Sequence, residues 1–173
     1  MKRKTISFAL DTESINKAIK ELERYKRELN RKTNLLREKI AERIAGEAQQ
    51  DFNRAIVDDL VQGVPRYAKV DVTIDKRGTV TAVIADGEDA VWVEFGAGVY
   101  HNGAAGSSPH PSGAELGFTI GSFGKNGKKP AWGFYDADGL HITRGTPAKM
   151  PMALAADAVC SDIAEMAREV FGT

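Results

Sequence analysis

This chain is short of cysteine, of charge in excess of either sign, and of long apolar runs. Cys160 is the only cysteine in 173 residues, which excludes an intrachain disulfide and a cysteine-based metal cage and fits a reducing compartment. Lys plus Arg and Asp plus Glu both number 24. A dedicated nucleic-acid binder carries a basic excess, so only a local basic patch is left open. No window approaches the ~20 apolar residues of a membrane span. The basic start Met1-Lys2-Arg3-Lys4 leads into no apolar run of signal-peptide length. The expectation is a soluble protein made and used in a cytoplasm. Histidine is scarce as well: His101, His110 and His141 stand at no metal-ligand spacing. His101 and His110 are expected as exposed loop residues, and His141 as an outward residue of a hairpin strand.

What the chain does have is helical periodicity, short alternating segments and glycine. Its length fits one domain, 1–173, able to bury roughly 70% of the surface its unfolded form exposes. Thr5 to Leu10 alternates as a short strand, with Ile6, Phe8 and Leu10 on one side. Asp11 and Thr12 are good N-cap types. Ile15, Ala18, Ile19, Leu22, Tyr25 and Leu29 then form one helical stripe, and Leu36, Ile40, Ile44, Ala48, Phe52 and Ile56 a second. The polar stretch Asn30 to Asn34 predicts a break, giving helices over 12–30 and 34–61. One long helix is the alternative. Gly46 marks a bend or a close helix contact.

Region 1–62 is thus a strand plus helices, and region 63–95 an antiparallel meander. Val70, Val72 and Ile74 alternate, Lys76-Arg77-Gly78 turns, Val80, Ala82 and Ile84 return, and Asp86-Gly87-Glu88-Asp89 turns again. Ala90 to Phe95 is expected as the third strand, with Val91, Val93 and Phe95 facing the helices and Trp92 and Glu94 the opposite side. Region 96–147 holds 12 of the 17 glycines. A structureless loop of that length is functional or disordered, so 99–130 is expected to be mobile. Trp132 to Tyr135, the Asp136-Ala137-Asp138-Gly139 turn and Leu140 to Thr143 read as a hairpin, 132–143. Met152, Ala155, Val159, Ile163, Met166 and Val170 make the stripe of a last helix within 148–173. The fold class that follows is α+β: a small antiparallel sheet (N-terminal strand, three-strand meander and hairpin) packed on two N-terminal helices and one C-terminal helix.

The catalytic and cofactor patterns fail on their spacing. Gly96-x-Gly98 would need a glycine at 101 for a dinucleotide fingerprint, and His101 is there. Gly124-Lys125-Asn126-Gly127-Lys128-Lys129 has Ser122 where a phosphate loop needs its first glycine, and Lys129 where it needs a hydroxyl. Lys125, Lys128 and Lys129 remain as a basic loop able to make weak phosphate contacts. Asp136-x-Asp138-Gly139 opens like a calcium loop but lacks the distal ligands. Ser107 to Ser112 contains no nucleophile elbow. Glu94 has no nominated partner for acid–base work. No catalytic residue, metal site or cofactor is assigned, and no enzyme is expected.

Three segments carry a resemblance: Trp92-Val93-Glu94-Phe95-Gly96-Ala97-Gly98, the aromatic Trp132-Gly133-Phe134-Tyr135, and Thr143-Arg144-Gly145-Thr146-Pro147-Ala148-Lys149-Met150-Pro151-Met152 before the last helix. In that order they resemble the tail-completion, or head–tail joining, proteins of long-tailed bacteriophages, over roughly residues 60 to 160. Ala97 stands where that family has a threonine, and Met150-Pro151-Met152 replaces its Pro-Phe. The resemblance implies a non-enzymatic virion structural protein, a minor component of the neck or head-proximal tail end, from a phage or resident prophage. It implies a homo-oligomeric ring meeting other neck or tail proteins, located in the virion and, during assembly, in the host cytoplasm. It implies no membrane, no small-molecule substrate and at most transient nucleic-acid contact. Glu94 becomes a sheet-face residue pairing with a basic group such as Arg144 or with a neighbouring subunit. Trp92, Glu94, Phe95, Trp132, Phe134, Tyr135 and Arg144 are the candidate interface residues. The alternative is a DNA-contacting phage protein using Lys125, Lys128 and Lys129.

Overall fold

The structure is a computed structural model that describes residues 6, 9–58, 64–96, 109–113, 115–116, 131–137 and 139–172. It is an α+β protein. In chain order its elements are α1 (Thr12–Arg54), β1 (Ile56–Asp58), β2 (Arg66–Tyr67), β3 (Asp71–Arg77), β4 (Val80–Asp86), α2 (Ala90–Phe95), β5 (Trp132–Asp136), β6 (Gly139–Thr143) and α3 (Pro151–Phe171).

The expected pair of N-terminal helices is one helix of 43 residues, about 65 Å long at 1.5 Å per residue. Asp11 caps it, accepting from the Ser14 N–H at 2.8 Å, while the Ser14 hydroxyl accepts from the Ala9 N–H at 2.9 Å. Asn30 to Asn34 does not break it: polar residues without glycine or proline cost little in a helix. Arg37 donates to the Asn34 side chain and to the Thr79 carbonyl, which ties this stretch to the turn after β3. Gly46 is not a close helix contact, since a Cβ there would meet nothing within 4 Å. The helix stops at Arg54 rather than 61, because Ile56–Asp58 leaves it to pair with β2.

Among the described residues, instead of one sheet there are three two-stranded antiparallel ones: β1–β2, β3–β4 and β5–β6. The β3–β4 register runs from Asp71 opposite Asp86 to Arg77 opposite Val80 around Gly78, whose φ is 59°. The β5–β6 hairpin pairs Trp132 with Thr143 and Tyr135 with Leu140. The expected N-terminal strand falls largely on residues outside those described, and Ile6 and Ala9 themselves lie in no strand. The expected mobile segment 99–130 lies mostly outside them too.

The third meander strand is the largest correction. Ala90–Phe95 is a helix. Its valines favour strands, but such preference yields to packing context. Helical spacing puts Ala90, Val93 and Glu94 inward together and leaves Val91 exposed. Val93 joins Phe52, Ala55, Val57, Val70 and Ala90 in the central core, with Met152 of α3 packed against it. α3 runs antiparallel to α1: Arg43 meets Asp162, Lys39 meets Glu169, and the Lys32 ammonium reaches the Phe171 carbonyl at 3.5 Å. The Gln49 amide clamps β3 to α1, donating to the Val70 carbonyl at 2.8 Å and accepting from the Val72 N–H at 2.7 Å.

Candidate functional site

The first turn of α3 has no cap of its own. Met150, at its N-cap position, makes no side-chain cap bond and sits in the left-handed region at φ 53°. Pro151 carries no N–H. The Leu154 N–H is met by the Met150 carbonyl at 2.9 Å, which leaves the N–H groups of Met152 and Ala153. Glu94 takes both: Oε2 accepts from Met152 at 2.9 Å and Oε1 from Ala153 at 3.0 Å. A carboxylate from α2 therefore caps α3 across more than fifty residues of chain. Its charge lies at the positive end of the helix dipole, where partly buried pairs contribute up to ~2 kcal/mol.

His110 completes the arrangement. Its Nε2 lies 3.0 Å from Glu94 Oε1, and its Nδ1 accepts from the Ser112 N–H at 3.0 Å. An accepting Nδ1 carries no proton, so Nε2 is the protonated nitrogen and donates to Glu94. The ring packs on Phe95, with centroids 4.3 Å apart. The Glu94 and His110 side chains are 8% and 11% exposed. His110 is thus not the exposed loop residue expected from the sequence. Glu94 meets a helix end and a histidine rather than Arg144, which is exposed.

The chain around Glu94 is locked to the same segment. The Lys149 N–H donates to the Val93 carbonyl at 2.8 Å, and the buried Thr146 hydroxyl donates to the Val57 carbonyl. Gly96 turns at φ 78°, and a Cβ there would lie 2.7 Å from the Ala148 nitrogen. Only glycine tolerates both the angle and that approach. The Val91–Gly96 and Thr143–Met152 motifs, far apart in sequence, are two sides of one junction.

A second buried carboxylate holds the other end of α2. Asp89 receives both Arg66 guanidinium nitrogens, at 2.8 and 3.0 Å, and the Lys69 N–H at 2.9 Å. Burial alone would raise its pKa; the Arg66 bonds and the Lys69 N–H outweigh burial and hold it below the ordinary value.

Beside the junction lies an open, mainly apolar cavity of about 510 Å³, walled by Phe52, Val91, Phe95 and Met152, with His110 and Asp157 among its polar groups. Both Glu94 oxygens that border it are, among the described residues, bonded to the α3 amides and to His110. Among the described residues no group of three His, Cys, Asp or Glu is placed to hold a metal ion, and no helix is long and apolar enough to cross a membrane.

Of the sequence-nominated residues, Trp92, Glu94 and Phe95 share α2, with Trp92 and Phe95 half-buried. Phe134 is half-buried and stacks on His141 at 5.2 Å, whereas the next residue on the strand, Tyr135, is 79% exposed. Phe134 and Tyr135 therefore face opposite sides. The Trp132 side chain and Lys125, Lys128 and Lys129 lie outside the described residues. Sequence reasoning missed His110, Asp89 and Thr146. One signal for the junction was legible: Met150-Pro151 opens a helix with no capping side chain, so the cap must come from elsewhere in the fold. Comparison with protein-family models, curated proteins and solved structures finds no match to this chain.

Proposed function

We propose that this chain is a structural protein of a long-tailed phage virion, a non-enzymatic tail-completion or head–tail joining component that assembles as a ring at the neck or head-proximal tail end. One observation carries the reading. Glu94, a buried carboxylate beside the cavity, is spent on fastening α2 to α3. Two of the three motifs behind the resemblance meet at that fastening, so they serve to build a rigid body. That body presents Tyr135, Leu140 and Ile142 exposed on one face of the β5–β6 hairpin, and exposed aromatic and aliphatic residues are the usual anchors of a protein interface. Identical bodies joined by a heterologous contact form a closed ring when the rotation closes.

The test is electron microscopy of induced lysates from a host in which the gene is deleted. Full heads beside finished, unattached tails are the expected result. Normal infectious particles would overturn the reading and turn attention to DNA contact, measurable as a salt-dependent mobility shift that disappears when Lys125, Lys128 and Lys129 are replaced.

A further inference from the structure

The segment 109–113 is a wall of the cavity that belongs to neither helix beside it. His110, Pro111 and Ser112 line the cavity together with Val91 of α2 and Met152 and Ala156 of α3. The segment lies inside the glycine-rich region 96–147. Its backbone bonds close turns: the Gly113 N–H donates to the His110 carbonyl at 2.9 Å, and the Leu116 N–H to the Ser112 carbonyl at 3.0 Å. Such bonds shape the segment without holding it to the body. The His110 side chain does hold it. Nδ1 accepts from the Ser112 N–H, which fixes the ring on its own turn, and the ring rests on Phe95. Nε2 then donates to Glu94 Oε1 at 3.0 Å. That oxygen also accepts from the Ala153 N–H at 3.0 Å. One atom therefore serves the segment and the first turn of α3 at once.

We propose that residues 109–113 are a strap latched on the junction by His110, and that the strap and the first turn of α3 open and close together. The physical reason is the carboxylate they share. The Glu94 side chain is 8% exposed, and a carboxylate so buried keeps its place only while donors satisfy it. Among the described residues three N–H groups do so, those of Met152, Ala153 and His110. Removing the His110 donor leaves the charge short of partners in an apolar setting. Turning the Glu94 side chain to water restores its solvation and releases both α3 amides. The reverse also holds: when the first turn of α3 frays, Glu94 loses the amides that fix it, and the strap loses its anchor. Coupling of this kind is reciprocal by thermodynamic linkage. The same carboxylate ties α2 to α3, so releasing the latch also loosens the wall between Val91 and Met152 and opens the cavity. The latch works within one chain and needs no neighbouring subunit.

Native-state hydrogen exchange on the full chain tests this. In the parent protein the amides of Met152, Ala153 and the buried Gly113 should exchange through one opening. They should share one protection factor and one response to low urea, well below the protection of Ala48 in the core. Two substitutions separate the bonds of His110, and both remove the ring contact with Phe95. His110→Gln keeps a donor near the Nε2 position and loses the Nδ1 acceptor. His110→Asn keeps an acceptor near Nδ1, able to take the Ser112 N–H as an Asx turn does, and loses the reach to Glu94. His110→Asn should speed exchange at all three amides about tenfold or more and raise the fluorescence of 8-anilinonaphthalene-sulfonate, a dye of exposed apolar surface. His110→Gln should leave Met152 and Ala153 near the parent rates. Glu94→Ala, read at Gly113, should show the reciprocal loss. Unequal openings of Gly113 and the α3 amides in the parent overturn the proposal, whatever the stability of the variants. So does a His110→Asn protein that frees Gly113 while Met152 and Ala153 stay protected, or one that matches His110→Gln. An unchanged dye signal in His110→Asn overturns the opening of the cavity.

Discussion

The two halves of α1 have the same secondary structure and opposite fates. Its C-terminal half buries Ala41, Ala45, Ala48 and Phe52 between α3 and the β3–β4 hairpin. Its N-terminal half carries larger aliphatic residues and leaves them open. Alanines 41, 45 and 48 sit where α1 meets its neighbours, and the larger Ile19 and Leu22 of the other half stay exposed. Periodicity marks a face as apolar without saying whether this chain supplies the cover.

The largest expected effect contrasts these halves directly. Phe52→Ala, at a fully buried site, should destabilise by about 3–5 kcal/mol in urea unfolding. A loss under about 1 kcal/mol would mean that the C-terminal half is far less packed than described.

Gly96→Ala should cost about 2–4 kcal/mol, because it adds both positive-φ strain and a clash with the Ala148 backbone. A refolded but weakened protein, with its thermal midpoint lowered by several degrees, is the outcome to look for.

Glu94→Gln should cost about 1–3 kcal/mol. The amide keeps one acceptor but turns an N–H₂ toward donors, and the charge at the helix end is lost. Hydrogen exchange of the Met152 and Ala153 amides gives a local readout, and unchanged protection there would refute the cap.

Asp89 contributes pH dependence of known sign. Its folded pKa is depressed, so the unfolded state binds the proton more readily. Its stabilisation is present above the ordinary carboxylate pKa of about 3.9 and is lost as pH falls through the lower folded value. Stability measured from pH 6 downward should fall less steeply in Asp89→Asn than in the parent protein.

The smallest effect belongs to the open half. Leu22→Lys should change monomer stability by no more than about 0.5 kcal/mol, as for ordinary surface substitutions. A large loss would show that this half is packed after all.

Much of the fold was legible in the chain. The stripes of α1 and α3, the Asp11 cap, the Gly78 hairpin and the 132–143 hairpin all follow from local spacing and turn chemistry. The boundary at Asn30–Asn34 was misread, because a polar stretch does not end a helix that a tertiary contact such as Arg37 to Thr79 continues. α2 was misread, because Val-Trp-Val-Glu-Phe alternates like a strand over six residues and only helical spacing puts Val93 and Glu94 inward together. The site was legible only as motifs: their meeting depends on Glu94 finding an uncapped helix far along the chain.

The sequence by itself determined where apolar faces lie and where the chain turns, since these depend on neighbours a few residues apart. The tertiary structure alone decided that Ala90–Phe95 is helical, that Glu94 and His110 meet, and that Ala45, Ala48 and Phe52 of α1 are buried while Ile19 and Leu22 are exposed. Buried hydrogen-bond donors and apolar surface are satisfied by whatever group arrives in space, and spacing along the chain does not record which group that is.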